Sequence, residues 1–327
     1  MEQQSERRYL IGVDLGGTNT RAAVSDKTGK ILGDAREPSY AMSGFDVTVG
    51  QIVKAANGAL AAAGISAAEL LGIGMAVPGT IKPKTGLVLW TPNFSEDWVG
   101  ANISAPIREA FGCPVYIGND ANLAALGEYW FGVGRDKKPE SLVMFTLGTG
   151  IGSGLVLDGK LWVGASEGAA EFGHQVIVAD GPRCGCGRYG CMEALAGQAA
   201  IISRAQRKLH QGTDSLLWET VNNDLTAITP ALIAEAAGKG DMVGLETMAE
   251  TGYYIGMGIA NVITGLSPEI VVIGGGVSNA GDVLWKPMMR TITANTLPQF
   301  LEVCSIMPSR LGNDLGVLGG IGLVMQG

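Results

Sequence analysis

The chain has 327 residues, enough for two domains or one large α/β domain. A formal net charge of −8, with no basic run longer than two residues, excludes a nucleic-acid surface and an anionic lipid surface. Fifty glycines, about twice the usual share, sit at the ends of apolar runs, which predicts tight turns and backbone close to small ligands.

The opening MEQQSERRYLIGVD is charged, and its apolar run soon meets Asp14, so no secretory leader is expected. Five cysteines without an export signal then imply a reducing cytoplasm. RRYLIGVDLGGTNTRAAVSDKTGKIL reads as a strand, a glycine turn, a second strand, a DKTGK turn and a third strand. VTVGQIVKAANGALAAAG predicts an amphipathic helix, and LLGIGMAVPGTI a buried strand ending in a Pro-Gly turn. CPVYIGNDANLAALGEYWFG predicts a strand running into a helix, with Asn119 and Asp120 at the junction.

LVMFTLGTGIGSGLVLDGKLWVG then repeats the first hairpin's plan about 130 residues later, which points to an internal duplication with paired hairpins facing a shared cleft. MEALAGQAAIISRAQRKLH predicts one helix, and a second, long helix is expected from about Met242 to Leu266. PEIVVIGGGVS is a buried strand opening on three glycines, and DLGVLGGIGLVMQ an apolar helix that packs back on the first domain. Two weakly charged stretches, SLVMFTLGTGIGSGLVL and TGYYIGMGIANVITGLSP, are crowded with Gly, Thr or Asn and read as buried elements, not membrane spans. Strands alternating with helices predict α/β architecture. The expected division is a small domain of 1–118 plus about 312–327, and a large domain of 119–311.

Three of the five cysteines fall in EFGHQVIVADGPRCGCGRYGCME. Their spacing, C-x-C-x4-C, would strain a Cys184–Cys186 disulfide, and no C-x-x-C is present. GCGRYG matches G-x-G-x-x-G, but no strand feeds it and no βαβ unit surrounds it. With His174 ten residues upstream, Cys184, Cys186 and Cys191 make a Cys₃His set suited to structural, tetrahedral Zn²⁺; the alternative is a group of buried, inert thiols. Such a clamp would fix Glu171, His174 and Glu193 as one polar site for hydroxyl groups.

DLGGT (Asp14 to Thr18) and LGTG (Leu147 to Gly150) follow strands, and no G-x-x-x-x-G-K-[ST] occurs. Glycine N–H groups and a Thr hydroxyl in such turns grip phosphate oxygens. Asp14 is placed to hold a hydrated Mg²⁺, and Gly274–Gly276 to lie against adenine or ribose. Asp120 reads either as an N-cap for a helix beginning at Ala121 or as the base that takes a proton from a hydroxyl attacking the γ-phosphate of ATP. Asn93 reads as a turn residue or, with Asn119, as an amide for vicinal hydroxyls.

IGVDLGGTNTRAA, VPGTI, NDANLAALGE, LGTGIGSGLVLDGKL, EFGH and CGCGRYGCME together resemble the ROK family of sugar kinases, most closely its bacterial glucokinases, from about residue 10 to the end. The resemblance implies two actin-like (ribonuclease H-like) α/β domains around a central cleft, and transfer of the γ-phosphoryl of MgATP to the 6-hydroxyl of a hexose. By motif match it implies Asp120 as general base. Asn93, Asn119, Asp120, Glu171, His174 and Glu193 would hold the sugar. Asp14, Gly16, Gly17, Thr18, Gly148, Thr149 and Gly275 would line the nucleotide, and His174, Cys184, Cys186 and Cys191 would hold zinc. It implies a homodimer or homotetramer, with no nucleic-acid or membrane partner. Two other readings are kept: a kinase for fructose, N-acetylmannosamine, N-acetylglucosamine or allose, and a sugar-sensing regulator that binds hexose without phosphorylating it. Against the regulator, only about ten residues precede the first strand, so no DNA-binding domain is expected. Ala170 departs from the family pattern, since many relatives have Gly directly before the Glu of E-x-G-H.

Overall fold

The computed structural model describes residues 7–326. They form two compact α/β units. The first comprises the chain up to Leu142, Gly154–Ala170 and the chain from Arg310; the second comprises Val143–Ser153 and Glu171–Ser309. The first unit reaches beyond a boundary at 118.

In the first unit, β1 (Tyr9–Leu15), β2 (Asn19–Ser25) and β3 (Ile31–Pro38) form an antiparallel meander. The amphipathic α1 (Phe45–Ala63) follows, burying Ile52, Ala55, Ala56, Ala59 and Leu60, and ends on Gly64 in the left-handed conformation. β4 (Leu70–Val77) is buried at nearly every position, as a strand covered on both faces must be, and pairs parallel to β1. A small hairpin of β5 (Thr80–Lys82) and β6 (Leu87–Trp90) precedes α2 (Ser104–Phe111). β7 (Val115–Asn119) pairs parallel to β4 and runs directly into α3 (Asp120–Trp130). The sheet order is β3-β2-β1-β4-β7. Its core includes the fully buried Trp98, which meets Phe45 and Phe94 edge-on at 5.0 and 4.7 Å between ring centroids.

The second sheet repeats this plan. β8 (Ser141–Leu147), β9 (Ile151–Leu157) and β10 (Lys160–Leu161) match the meander, and β11 (Ile270–Gly274) and β12 (Ser305–Pro308) match the parallel pair, in the order β10-β9-β8-β11-β12. Its helices are α4 (Met192–Ala196), α5 (Gln198–His210), α6 (Leu217–Thr220), α7 (Pro230–Gly238), α8 (Met242–Leu266), α9 (Asp282–Asn295) and α10 (Pro298–Val303). The stretch expected as one helix is therefore two, α4 and α5, because Gly197 is extended, with ψ 167°.

α11 (Leu315–Gln326) returns to the first unit and lies directly on its sheet. A Cβ at Gly12 would overlap the Val317 carbonyl, and one at Gly74 the Gly320 carbonyl, so strand and helix backbones touch where neither carries a side chain.

Candidate active site

In the first unit, the expected residues gather at the carboxyl ends of parallel strands, where α/β sheets bind ligands. Asp14 sits opposite Ala76 and Val77 opposite Asn119 across the three parallel strands β1, β4 and β7. Gly16 to Thr18 form the β1–β2 turn, closed by Gly16 N–H donating to the Asn19 carbonyl at 2.9 Å. Asn93 is exposed, holds the left-handed conformation (φ 61°), and its Cβ would lie 3.6 Å from a Cβ on Gly17. It is thus a turn residue in a conformation that asparagine tolerates, standing beside the glycine loop.

The helix cap falls to Asn119, not Asp120. The Asn119 Oδ1 accepts from the N–H of Ala121 (3.0 Å) and Asn122 (3.1 Å), while its Nδ2 donates to the Gly79 carbonyl at 3.0 Å. The β-region backbone of Asn119 suits the cap, and the helix begins at Asp120 itself. The Asp120 carboxylate is exposed at the helix N-terminus and accepts from the Ala121 N–H at 2.8 Å. Desolvation raises the Asp14 carboxyl above its ordinary range, against the pull of Arg21 and Arg36. Gly316, in the first turn of α11, packs against that carboxylate.

In the second unit, the ligand atoms of His174, Cys184, Cys186 and Cys191 all lie within 4.8 Å of one another. His174 Nδ1 is 3.5 Å from Cys184 Sγ, and Cys186 Sγ is 3.6 Å from Cys191 Sγ. Zinc bonds to imidazole and thiolate in a tetrahedron require edges of about 3.5 and 3.8 Å, so the residues fit the ion. The backbone N–H of Arg188 draws the Cys186 thiol down to about 6, toward the thiolate a metal binds, while burial pushes Cys184 and Cys191 up.

Glu193, on α4, has one oxygen 3.9 Å from His174 Nδ1 and 3.7 Å from Cys184 Sγ. Its other oxygen accepts from the Ile151 N–H at 3.0 Å. Desolvation raises the Glu171 carboxyl, with His174 opposing and Glu193 reinforcing. The residue before Glu171, Ala170, is held at φ 66°, a conformation glycine takes without strain.

A pocket of about 720 Å³ opens beside the β8–β9 turn, lined by Gly148, Gln198, Thr229, Glu235, Gly276 and Asn279 among others. Gly276, not Gly275, faces it. Gly275 (φ 88°) lies under the Leu147 backbone, where any Cβ would overlap. Sequence reading missed the α7 wall of this pocket. Its Thr229–Pro230 start is a legible cap signal, with Thr229 Oγ1 accepting from the Leu232 N–H at 3.3 Å, but nothing local ties that helix to a glycine turn 80 residues earlier. Among the described residues no helix is long and apolar enough to cross a membrane.

The ROK family model matches residues 10–327. The chain belongs to the ROK family. A glucokinase from Halalkalibacterium halodurans is 35% identical over 98% of this chain and 96% of its own length. A xylose repressor from Caldicellulosiruptor bescii is 31% identical over 97% of this chain and 78% of its own. Among solved structures, a ROK family glucokinase from Streptomyces griseus in complex with glucose and AMPPNP superposes with a TM-score of 0.81 at 31% identity, covering 98% of this chain and all of that one. This ROK chain thus has the actin-like two-domain fold of the family's sugar kinases.

Proposed function

We propose that this ROK protein is an ATP-dependent glucokinase that converts glucose and ATP to glucose 6-phosphate and ADP. The observation that carries the reading is Asp120: with Asn119 serving as cap, its carboxylate stands exposed at the carboxyl end of β7 in a chain related to glucokinases over nearly its whole length.

In this mechanism Asp120 accepts the proton of the glucose 6-hydroxyl as that oxygen attacks the γ-phosphorus and the bond to the β–γ bridging oxygen breaks. Asn93, Glu171, His174 and Glu193 orient the sugar, joined by Asn119 through the second Nδ2–H that its cap and Gly79 bonds leave over. His174 meets the cysteines through Nδ1, which leaves Nε2–H to donate to a hydroxyl. Zinc, when bound, is a structural ion held by His174, Cys184, Cys186 and Cys191. Gly148, Thr149 and the turn Gly16–Thr18 present N–H groups to phosphate oxygens, and the pocket of α7 and Gly276 takes the adenosine. Asp14, at the carboxyl end of β1, would hold a hydrated Mg²⁺, which would supply positive charge beside the phosphates. The reducing cytoplasm is the compartment that five free cysteines suit.

A coupled assay over a panel of hexoses tests this. Glucose is expected to give the highest kcat/KM, and Asp120→Ala to lose roughly 10²–10⁴-fold in kcat with glucose binding retained. Near-normal turnover in that variant would remove the base assignment, and preference for another hexose would reassign the substrate. The similarity to a xylose repressor motivates a second reading, a sugar-responsive regulator; hexose binding with no ATP turnover would favour it.

A further inference from the structure

Glu193 does more than face the histidine–cysteine cluster. Its second oxygen is committed to the nucleotide turn, accepting from the N–H of Ile151 at 3.0 Å, the first residue after that turn. Ile151 is buried, so its amide has no ready solvent substitute. Gly150 is where the carboxylate packs: a Cβ there would overlap Glu193 Oε2. The segment just after Glu193 grips the same turn from its other end. The Gly197 N–H donates to the Glu193 carbonyl at 2.8 Å, and the Gln198 N–H reaches the carbonyls of Gly148 (3.2 Å) and Thr149 (3.3 Å). The turn Gly148–Ile151 is therefore held at both ends by one short stretch of chain.

That stretch is itself fixed. At its start, Cys191 is a member of the cysteine cluster, and Met192 N–H donates to the Gln175 carbonyl at 3.0 Å. At the end of α4, the buried Arg204 donates from Nη2 to the Leu195 carbonyl at 2.6 Å and from Nη1 to Thr251 Oγ1 at 2.9 Å, and its Nε pairs with Glu250 at 2.9 Å.

We infer that Glu193 is a positioning residue for the nucleotide turn, joining the histidine–cysteine cluster to the backbone that grips phosphate. The inference rests on the kinase reading above and adds to it: the cysteine loop orders the ATP site as well as the sugar-binding side chains. Without the Glu193 carboxylate the Ile151 amide is orphaned and the turn loses its preferred shape, so nucleotide affinity falls even when no sugar is present.

The test is calorimetric titration of the full chain, zinc-loaded and checked for fold by circular dichroism, with a magnesium complex of a non-hydrolysable ATP analogue and no sugar. Glu193→Ala is expected to bind it about tenfold more weakly, the scale of one buried amide left unpaired. Glu193→Gln, whose amide oxygen still accepts from Ile151, is expected to stay within about threefold of wild type. Gly150→Ala, at a position outside the positive-φ region, displaces the carboxylate from the other side. It should weaken binding of the nucleotide analogue measured with no sugar present. In the Glu193→Ala background, where the obstructing carboxylate is gone, Gly150→Ala should add no further loss. If both single variants bind the analogue within about twofold of wild type, the inference is overturned while the kinase reading stands. If wild type itself binds no nucleotide, the kinase reading falls first. Should Glu193→Ala fail to fold, Gly150→Ala alone decides.

Discussion

Asp14 carries a conflict that belongs to single residues: it lies one residue from the end of a buried strand, so its charge is desolvated, yet the proposed Mg²⁺ role needs that charge. Desolvation outweighs Arg21 and Arg36 and raises its pKa on folding. A carboxyl raised on folding costs stability when ionised. The cost is absent below the ordinary aspartate value of 3.8, grows as pH rises through it, and is complete above the raised native value. Asp14→Asn removes the charge at nearly constant shape. It is expected to raise Tm by roughly 2 °C at pH 7 and by less at pH 4, while turnover with MgATP collapses. Thermal scans at the two pH values check this, and a variant less stable than wild type at pH 7 would contradict it. The neighbouring question of Asn119 and Asp120 shows where sequence stops at this scale. Either residue is a good cap by type. Only the Gly79 carbonyl, 40 positions earlier, which receives the Asn119 amide, decides that Asn119 turns inward.

At the scale of elements, α3 is stabilised by a residue that its sequence disguises. In NDANLAALGEYWFG, Glu128 looks like the solvent side of a helix. It is instead fully buried, with Oε2 accepting from the Val133 N–H at 3.0 Å and Oε1 from Arg310 (2.8 Å) and Leu311 (3.1 Å). It therefore ends α3 and anchors the chain just before α11. Glu128→Ala would leave three amide donors short of an acceptor and is expected to cost about 3 kcal/mol or more, with Glu128→Gln costing about half. Denaturant titration measures it, and a loss under about 1 kcal/mol would show that water replaces the carboxylate. Periodicity found α1 and α8 because their apolar faces are continuous. It fused α4 with α5 because Gly197 interrupts no apolar pattern; the break exists to bring Gln198 N–H onto the Gly148 and Thr149 carbonyls, a tertiary demand that no local signal records.

For the molecule as a whole, the repeated glycine hairpins were visible in sequence, and both sheets share one strand order because each hairpin seeds the same plan. The histidine–cysteine set was legible too, since close spacing limits what thiols can do, whereas the pocket wall from α7 required the fold. The placement of that set makes a prediction about stability across the chain. The four side chains proposed to hold zinc all belong to the second unit, and the buried Trp98 core of the first contains none of them. Zinc bound only by the native arrangement adds its binding free energy to the structure that forms the site. On the zinc reading proposed above, stripping about one ion per chain should therefore speed amide exchange selectively. The Cys184 amide, which donates to the Arg188 carbonyl at 2.7 Å, and the Ile177 amide, which donates to Gly190 at 2.9 Å, should respond first. Ile151 should follow through Glu193, while the amides of β1, β4 and β7 keep their protection. Hydrogen exchange read by mass spectrometry, with the released metal counted in the same sample, distinguishes the outcomes. Uniform acceleration over both units would mean that the ion supports the fold globally, and unchanged exchange at Cys184 after verified metal loss would mean that the loop holds its shape by hydrogen bonds alone.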